Sequence, residues 1–354
     1  MEIFYIGSFD DSGMHILTLD RTRLVFEHIA NVPDLPAPSF QALHPAIPCL
    51  YSVSGAKSTA NDPGGTVAAY RIDPKSGRLT VLNTRSTKGS GPCHISVDPH
   101  GAFAFVSNYG AGSLAVYPIV DNGSLGSISD LIQHHGNSVH PKRQEAPHMH
   151  SAIPSPDGRY VYASDLGIDQ IRIYSLNREA GTLEPAEPPF VESAPASGPR
   201  HLAIHPDRPF AYSAEELSST VAAYAMEAAS GALSPIQRLS MLPENHQEAS
   251  SAADIHISPD GRFLYASNRG HDSIVIFDID SETGRLTTVG HESTRGGHPR
   301  NFYIDGTGTH LFVANRDNDN IVLFERDRQS GKLRATGAEA HVPKPVCITE
   351  YRPR

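Results

Sequence analysis

One pattern recurs six times along this chain, and its period limits the folds available more than any other property of the sequence. The fullest copy is SPDGRYVYASD (Ser155–Asp165) followed by QIRIYSL (Gln170–Leu176). Other copies are HPAIPCLYSVS with TVAAYRI, DPHGAFAFVSN with SLAVYPI, HPDRPFAYSAE with TVAAYAM, SPDGRFLYASN with SIVIFDI, and DGTGTHLFVAN with NIVLFER. The second residue of each opening tetrapeptide is Pro45, Pro99, Pro156, Pro206, Pro259 and Gly306, giving spacings of 54, 57, 50, 53 and 47 residues. A period near 50 marks a propeller-like closed array, because one such unit cannot bury its own faces alone. Within each unit two alternating apolar runs follow a Pro-Asp-Gly-type turn, a third ends at a second turn such as KSGRL or ETGRL, and a weaker fourth run follows. Runs of this length, punctuated by Gly, Pro and Asp, are β-strands, and four per unit make one propeller blade.

The ends supply one more blade. IFYIGSF and HILTLD near the start read as second and third strands with no first, and PVCITEY at the end reads as a first strand with nothing after it. Joined, they close a ring without exposed sheet edges. The sequence therefore predicts an all-β, seven-bladed β-propeller of four antiparallel strands per blade. It is expected to form a single domain over residues 1–354, with blade seven shared between residues 1–37 and 340–354.

Composition excludes several classes of function. A net charge of −10 disfavours nucleic acid and anionic membranes as partners. No apolar stretch approaches the length needed to cross a bilayer, and the first predicted strand starts at Ile3, which leaves no room for a signal peptide. Cys49, Cys93 and Cys347 are odd in number, lie in predicted strands and lack metal-site spacing, which fits reduced thiols in a cytoplasmic protein. Oligomeric state has no signature in the sequence.

Blade connectivity says where functional residues gather. In an up-and-down blade, the start of the first strand and the loop between strands two and three share one end, and the PDGR turns lie at the other. Aligned first-strand starts hold Ser39, Cys93, His150, Arg200, Ala253, Arg300 and about Val346. The loops hold Lys57, Asn108-Tyr109, Asp165, Glu215-Glu216, Asn268-Arg269 and Asn315-Arg316. Packing alone does not require such a mixture of His, Arg and Glu at equivalent places, and it concentrates in blades three to six, as a substrate site would.

Each candidate has a structural alternative. His148 and His150 share a strand face, but no third ligand stands at metal spacing, so the expectation is no metal. Hydrogen bonding to loop carbonyls and general-base or substrate contact both remain open. Arg200 and Arg300 are candidates either for anion binding or for salt bridges between blades, and Glu216 either for catalysis or as the partner of Arg200. Asp254 and His256 fit hydrogen bonding between blades. The longest insertion, Asp121–Pro147, leads into His148 and is either a lid across the mouth or a surface excursion. The blade-one loop at Gly55–Gly65 is positioned to bring in Lys57.

The segments QEAPHMHSAIPSPDGRYVYASDLG, SGPRHLAIHPDRPFAYSAEELSSTV, AADIHISPDGRFLYASNRG and GGHPRNFYID together resemble the lactonase family of seven-bladed propellers. That family includes bacterial propeller-type 6-phosphogluconolactonases and the fungal carboxy-muconate lactonizing enzyme. The resemblance spans essentially the whole chain. It implies a catalytic set of His150, Arg200, Glu216 and Arg269, with His148, Asn268, Arg300 and Lys57 as further substrate contacts. The family's Asn-Glu-Leu reads Glu-Glu-Leu here, which leaves Glu215 as a rival to Glu216. The implied activity is hydrolysis of a small anionic lactone, foremost 6-phosphogluconolactone, without metal or cofactor. A lactonizing enzyme acting on a muconolactone and a non-catalytic binding propeller are the alternatives.

Overall fold

Alternating apolar residues between Gly- and Pro-marked turns give strands with two faces to bury, and in a propeller both faces are covered by neighbouring blades. In the computed structural model, which describes residues 2–56 and 64–353, seven four-stranded antiparallel sheets each run outward from the axis. Blades one to six begin with first strands Phe40–Leu43, Pro92–Val97, Met149–Pro154, Pro199–Ile204, Ser251–Ile257 and Pro299–Ile304. Their second strands are Cys49–Ser54, Phe103–Asn108, Tyr160–Asp165, Phe210–Glu215, Phe263–Arg269 and His310–Asn315. The outermost strands, for example Leu79–Ser86, are largely exposed on one face. That exposure explains why their apolar pattern is weak.

Blade seven is closed by both ends of the chain. Pro345–Tyr351 is its first strand, and Glu2–Ser8, Met14–Asp20 and Val25–Val32 complete it. The seam pairs Ile3 with Tyr351 and Ile6 with Ile348. Its C-terminal share starts at Pro345 and not near residue 340, because Leu333–His341 still pairs with Asn320–Arg326 in blade six.

Apolar cores form between blades. Each of the seven joints has its own cluster, and the cluster joining blade seven to blade one holds Ile3, Tyr5, Ile16, Leu50 and Tyr70. A repeated hydrogen bond crosses most of these joints. The second-strand tyrosines Tyr5, Tyr51, Tyr162, Tyr212 and Tyr265 donate to the carbonyls of Gly77, Gly123, Gly231, Gly284 and Gly331, each in the next blade, at 2.7–3.0 Å. The repeat's Tyr and its turn Gly are thus two halves of one fastening. Phe105 and Phe312 interrupt the series, and at the Phe105 joint the Ser129 hydroxyl donates to Gly181 O instead. Among the described residues no helix is long and apolar enough to cross a membrane.

Candidate active site

At one end of the axis, two rings of residues surround a cleft of about 600 Å³. The inner ring comes from β-bulges at the first-strand starts. In blade three the ladder pairs Met149 with Asp165 and then Ser151 with Ser164, so His150 is the extra residue. Cys93, Arg200 and Arg300 are skipped in the same way in blades two, four and six. A bulge re-aims the side chain it releases from the ladder. Left-handed backbone two residues earlier prepares the bend, at Gly91 (φ 62°), Gly198 (φ 65°) and His298 (φ 58°).

The outer ring lies at the ends of the second strands: Phe9, Tyr109 and Glu216 directly follow theirs, and Arg269 is the last residue of its own. The amide N–H groups of Tyr109, Glu216 and Phe9 donate to the carbonyls of Gly91, Gly198 and Lys344, at 2.7–3.0 Å. Each bond clips a loop residue to the approach of its own blade's bulge. The residue one position earlier is turned inward as a blade fastener. Asn108, Asn268 and Asn315 are fully buried and donate to Thr87 O, Met241 O and Thr294 O of the preceding blade.

Glu216 is the centre of the charge arrangement. Its Oε2 accepts from Arg200 Nε at 2.9 Å and pairs ionically with Arg269 Nη2 at 2.9 Å, and its Oε1 accepts from Arg143 Nη2 at 2.6 Å. Burial raises its proton affinity, but the three guanidiniums outweigh it and hold the carboxyl far below the usual carboxylate range. Arg200 lies behind this carboxylate and also donates to Ala253 O at 2.6 Å, and Arg269 donates to Ala252 O at 2.6 Å. Arg300 lines the cleft with its guanidinium over the Phe9 ring at 5.1 Å. Burial, with Arg200 and Arg269 nearby, pulls Arg300 down to about 9, so it stays charged at neutral pH and favours an incoming anion.

His150 lines the same cleft with no carboxylate against it. Its Nδ1 is 3.8 Å from Cys93 Sγ, and its ring stands edge-on to Tyr109 and His201. Burial, followed by the charge of Arg200, holds it well below the ordinary imidazole value, so it is neutral at pH 7. Beneath it, Asp254 accepts from His201 Nδ1 at 2.8 Å, His256 Nε2 at 2.9 Å and the Asn301 amide. This network ties blades four, five and six together, as expected for Asp254 and His256.

The structure therefore gathers His150, Glu216, Arg269 and Arg300 at the cleft, with Arg200 one layer behind. His148 is diverted: it stacks on Tyr109 at 4.5 Å and lies 3.5 Å from Glu145. Asn268 is a blade fastener with its amide turned away from the cleft. Glu215, the rival carboxylate, is turned inward away from the cleft and accepts from Thr220 and Arg238 of its own blade. Lys57 lies outside the described residues. No group of three or more His, Cys, Asp or Glu among the described residues is arranged to hold a metal.

Two contributors escaped the sequence reading, Phe9 and Arg143. Arg143 sits in the long insertion, which is neither a free lid nor a loose excursion. Its Asp130–Gln133 segment is the fourth strand of blade two. His134 is buried between Asp165 (2.7 Å) and Tyr174 (2.9 Å), and buried Gln144 donates to Leu166 O at 2.9 Å. The signal for Arg143 was present as HPKRQEAP immediately before His148.

Known proteins agree with this architecture. The profile of the family described as "Lactonase, 7-bladed beta-propeller" matches residues 3–350. The 6-phosphogluconolactonase of Bacillus subtilis is 38% identical over 303 residues, covering 85% of this chain and 84% of the relative. The 6-phosphogluconolactonase of Formosa agariphila is 37% identical over 309 residues, with 85% of each covered. The solved structure of the periplasmic gluconolactonase of Pseudomonas aeruginosa superposes with a TM-score of 0.91 at 32% identity, covering 99% of this chain and 98% of that one. With the family profile matching nearly end to end and relatives above 30% identity, the chain belongs to the lactonase family of seven-bladed β-propellers.

Proposed function

We propose that this enzyme hydrolyses 6-phosphogluconolactone to 6-phosphogluconate. The observation that carries the reading is the charge of the cleft. Four guanidiniums, from Arg143, Arg200, Arg269 and Arg300, surround a single carboxylate in a protein of net charge −10. A field so inverted draws in an anion. Relatives divide in name between 6-phosphogluconolactonase and gluconolactonase, so the phosphate is the substrate feature that most needs testing.

The chemistry follows from which groups are free. Glu216 is a poor base, since protonating it would sacrifice three charge-assisted bonds; its role is to hold Arg269 and Arg143 in place. His150 is neutral and has a ring nitrogen available beyond its Nδ1 contact with Cys93, so it takes the proton as water attacks the lactone carbonyl. Arg269 and Arg300 border the same space and stabilise the oxyanion, a contribution of about 3–4 kcal/mol by analogy with oxyanion-hole donors. Collapse of the tetrahedral intermediate breaks the ring C–O bond. The proton held by His150 passes to the leaving alkoxide, which becomes a hydroxyl, and the carboxylic acid formed at the same time loses the second water proton to solvent and becomes a carboxylate.

Proton release from phosphorylated and unphosphorylated gluconolactone, corrected for spontaneous hydrolysis, tests this reading. The phosphorylated lactone should be turned over with the higher kcat/KM. Equal rates on both would remove the phosphate from substrate recognition, and turnover of neither would reject the assignment.

A further inference from the structure

We infer that Arg143 is a specificity-determining residue of the cleft, its guanidinium clamping the phosphate of a phosphorylated sugar lactone at the rim while the carbonyl lies against His150. This rests on the lactonase reading above.

Three observations carry it. First, Arg143 is in excess as a counter-ion. Glu216 already has two guanidiniums, Arg200 and Arg269, on Oε2, so the third bond, to Oε1, is not needed to neutralise it. Second, Arg143 has donors to spare. Its Nη2 serves both Glu216 and the Tyr109 hydroxyl, at 2.6 and 3.1 Å, and its Nε and Nη1 have no hydrogen-bond acceptor among the described residues. The Arg143 side chain is 39% exposed, against 2% for Arg200 and 8% for Arg269, so its free donors face the open side of the cleft. A guanidinium held on one edge and free on the other is prepared for bidentate binding of a phosphate.

Third, the loop that carries Arg143 is built to present it. Besides the His134 and Gln144 anchors, the Ser138 hydroxyl donates to Asp169 at 2.6 Å and the His140 amide to the Gln144 side chain at 3.0 Å. The His134, Ser138 and Gln144 bonds fasten the insertion to blade three, the His140 bond braces it internally, and Arg143 projects from it toward blade four. Depth then divides the substrate. His150 is buried on the inner ring and Arg143 stands at the opening. A δ-lactone bearing its phosphate on the exocyclic carbon separates carbonyl and phosphate by the width of the sugar ring, so its two ends can be met by different residues at different depths.

The test compares wild type, Arg143→Gln and Arg143→Lys on 6-phosphogluconolactone and gluconolactone, with folding checked by circular dichroism. Arg143→Gln should lower the ratio of the two kcat/KM values by about 10–100-fold, mainly through KM for the phosphorylated lactone, the size expected for lost bonds to a charged group. Arg143→Lys keeps the charge beside Glu216 and loses the fork, so its ratio should fall less; it also serves if the Gln variant does not fold. Loss by the same factor on both lactones would show that Arg143 acts only through Glu216 and would overturn the inference. Calorimetric titration with 6-phosphogluconate and gluconate separates this result from the catalytic reading. Wild type should bind the phosphorylated acid more tightly and Arg143→Gln should erase the difference, even if neither lactone is hydrolysed. Equal binding of both acids by wild type would overturn the inference.

Discussion

Two adjacent glutamates show how finely position decides a role. Glu215 ends a strand and is consumed by Arg238 and Thr220, whereas Glu216 starts the loop and binds three guanidiniums. The sequence offered both, because it showed the pair without its phase. Parity would have separated them, since Glu215 aligns with Asn108 and Asn268 at the inward position and Glu216 with Tyr109 and Arg269 at the outward one. The same parity removes Asn268 from the substrate and keeps Arg269. Replacing Glu216 by Gln leaves three guanidiniums around a neutral amide; breaking a buried ion pair in this way costs about 3–5 kcal/mol. Chemical denaturation of Glu216→Gln should show that loss, and kcat/KM should fall with it. For His150, His150→Gln should lower kcat by about 10²–10⁴-fold with the fold intact. Because burial and Arg200 hold His150 below the ordinary 6.5, wild-type kcat/KM should stay level through neutrality and decline only at acid pH. A bound anion offsets the arginine charge, so the corresponding limb in kcat should lie at higher pH. A kcat/KM profile breaking at or above pH 7 would exclude His150 as the base.

At the scale of elements, strand pairs and turns were legible because both are written in local chemistry: alternating side chains, and Pro, Asp and Gly at bends. The bulges were not, since a skipped residue is a property of pairing between strands. Their trace survives as Gly-Pro-Cys, Gly-Pro-Arg and His-Pro-Arg at the same place in three blades. The strand inside the insertion is hidden for a similar reason: its polar composition masks four residues that pair as one. The repeated tyrosine fastening makes a direct prediction. Tyr212→Phe removes the 3.0 Å bond to Gly284 O and leaves a buried carbonyl unpaired, a cost of about 1–3 kcal/mol. The urea midpoint should fall accordingly, while kcat/KM changes little because the fastening is at the end of the blade remote from the cleft.

Across the whole molecule, buried neutral histidines govern the response to acid. Burial lowers His94 and His150 well below 6.5, and His201 and His298 to about 4. Below pH 6.5 the unfolded chain takes up protons that these native side chains refuse, so stability falls as pH drops. His256 is raised by Asp254 and opposes the trend: its contribution is complete below 6.5 and is lost as pH rises through its folded value. His15, His44, His205, His271 and His291 are lowered in the same direction; with nine groups against one, the urea midpoint should decline from pH 7.5 to pH 5, and a flat profile would contradict these protonation states. Deleting residues 345–354 tests ring closure. It removes the strand that pairs with Glu2–Ser8 and the buried side chains Val346, Cys347 and Ile348. The truncated chain should melt at a lower temperature and scatter light through its exposed edge. Melting at the full-length temperature would count against the seam.

The seam also orders events in time. Ile3 pairs with Tyr351, so the inner edge of its strand finds its partner only after the other six blades have been translated. At about 5–20 residues per second, that strand waits on the order of tens of seconds on the ribosome. Of the seven blades, the one started first is the one completed last.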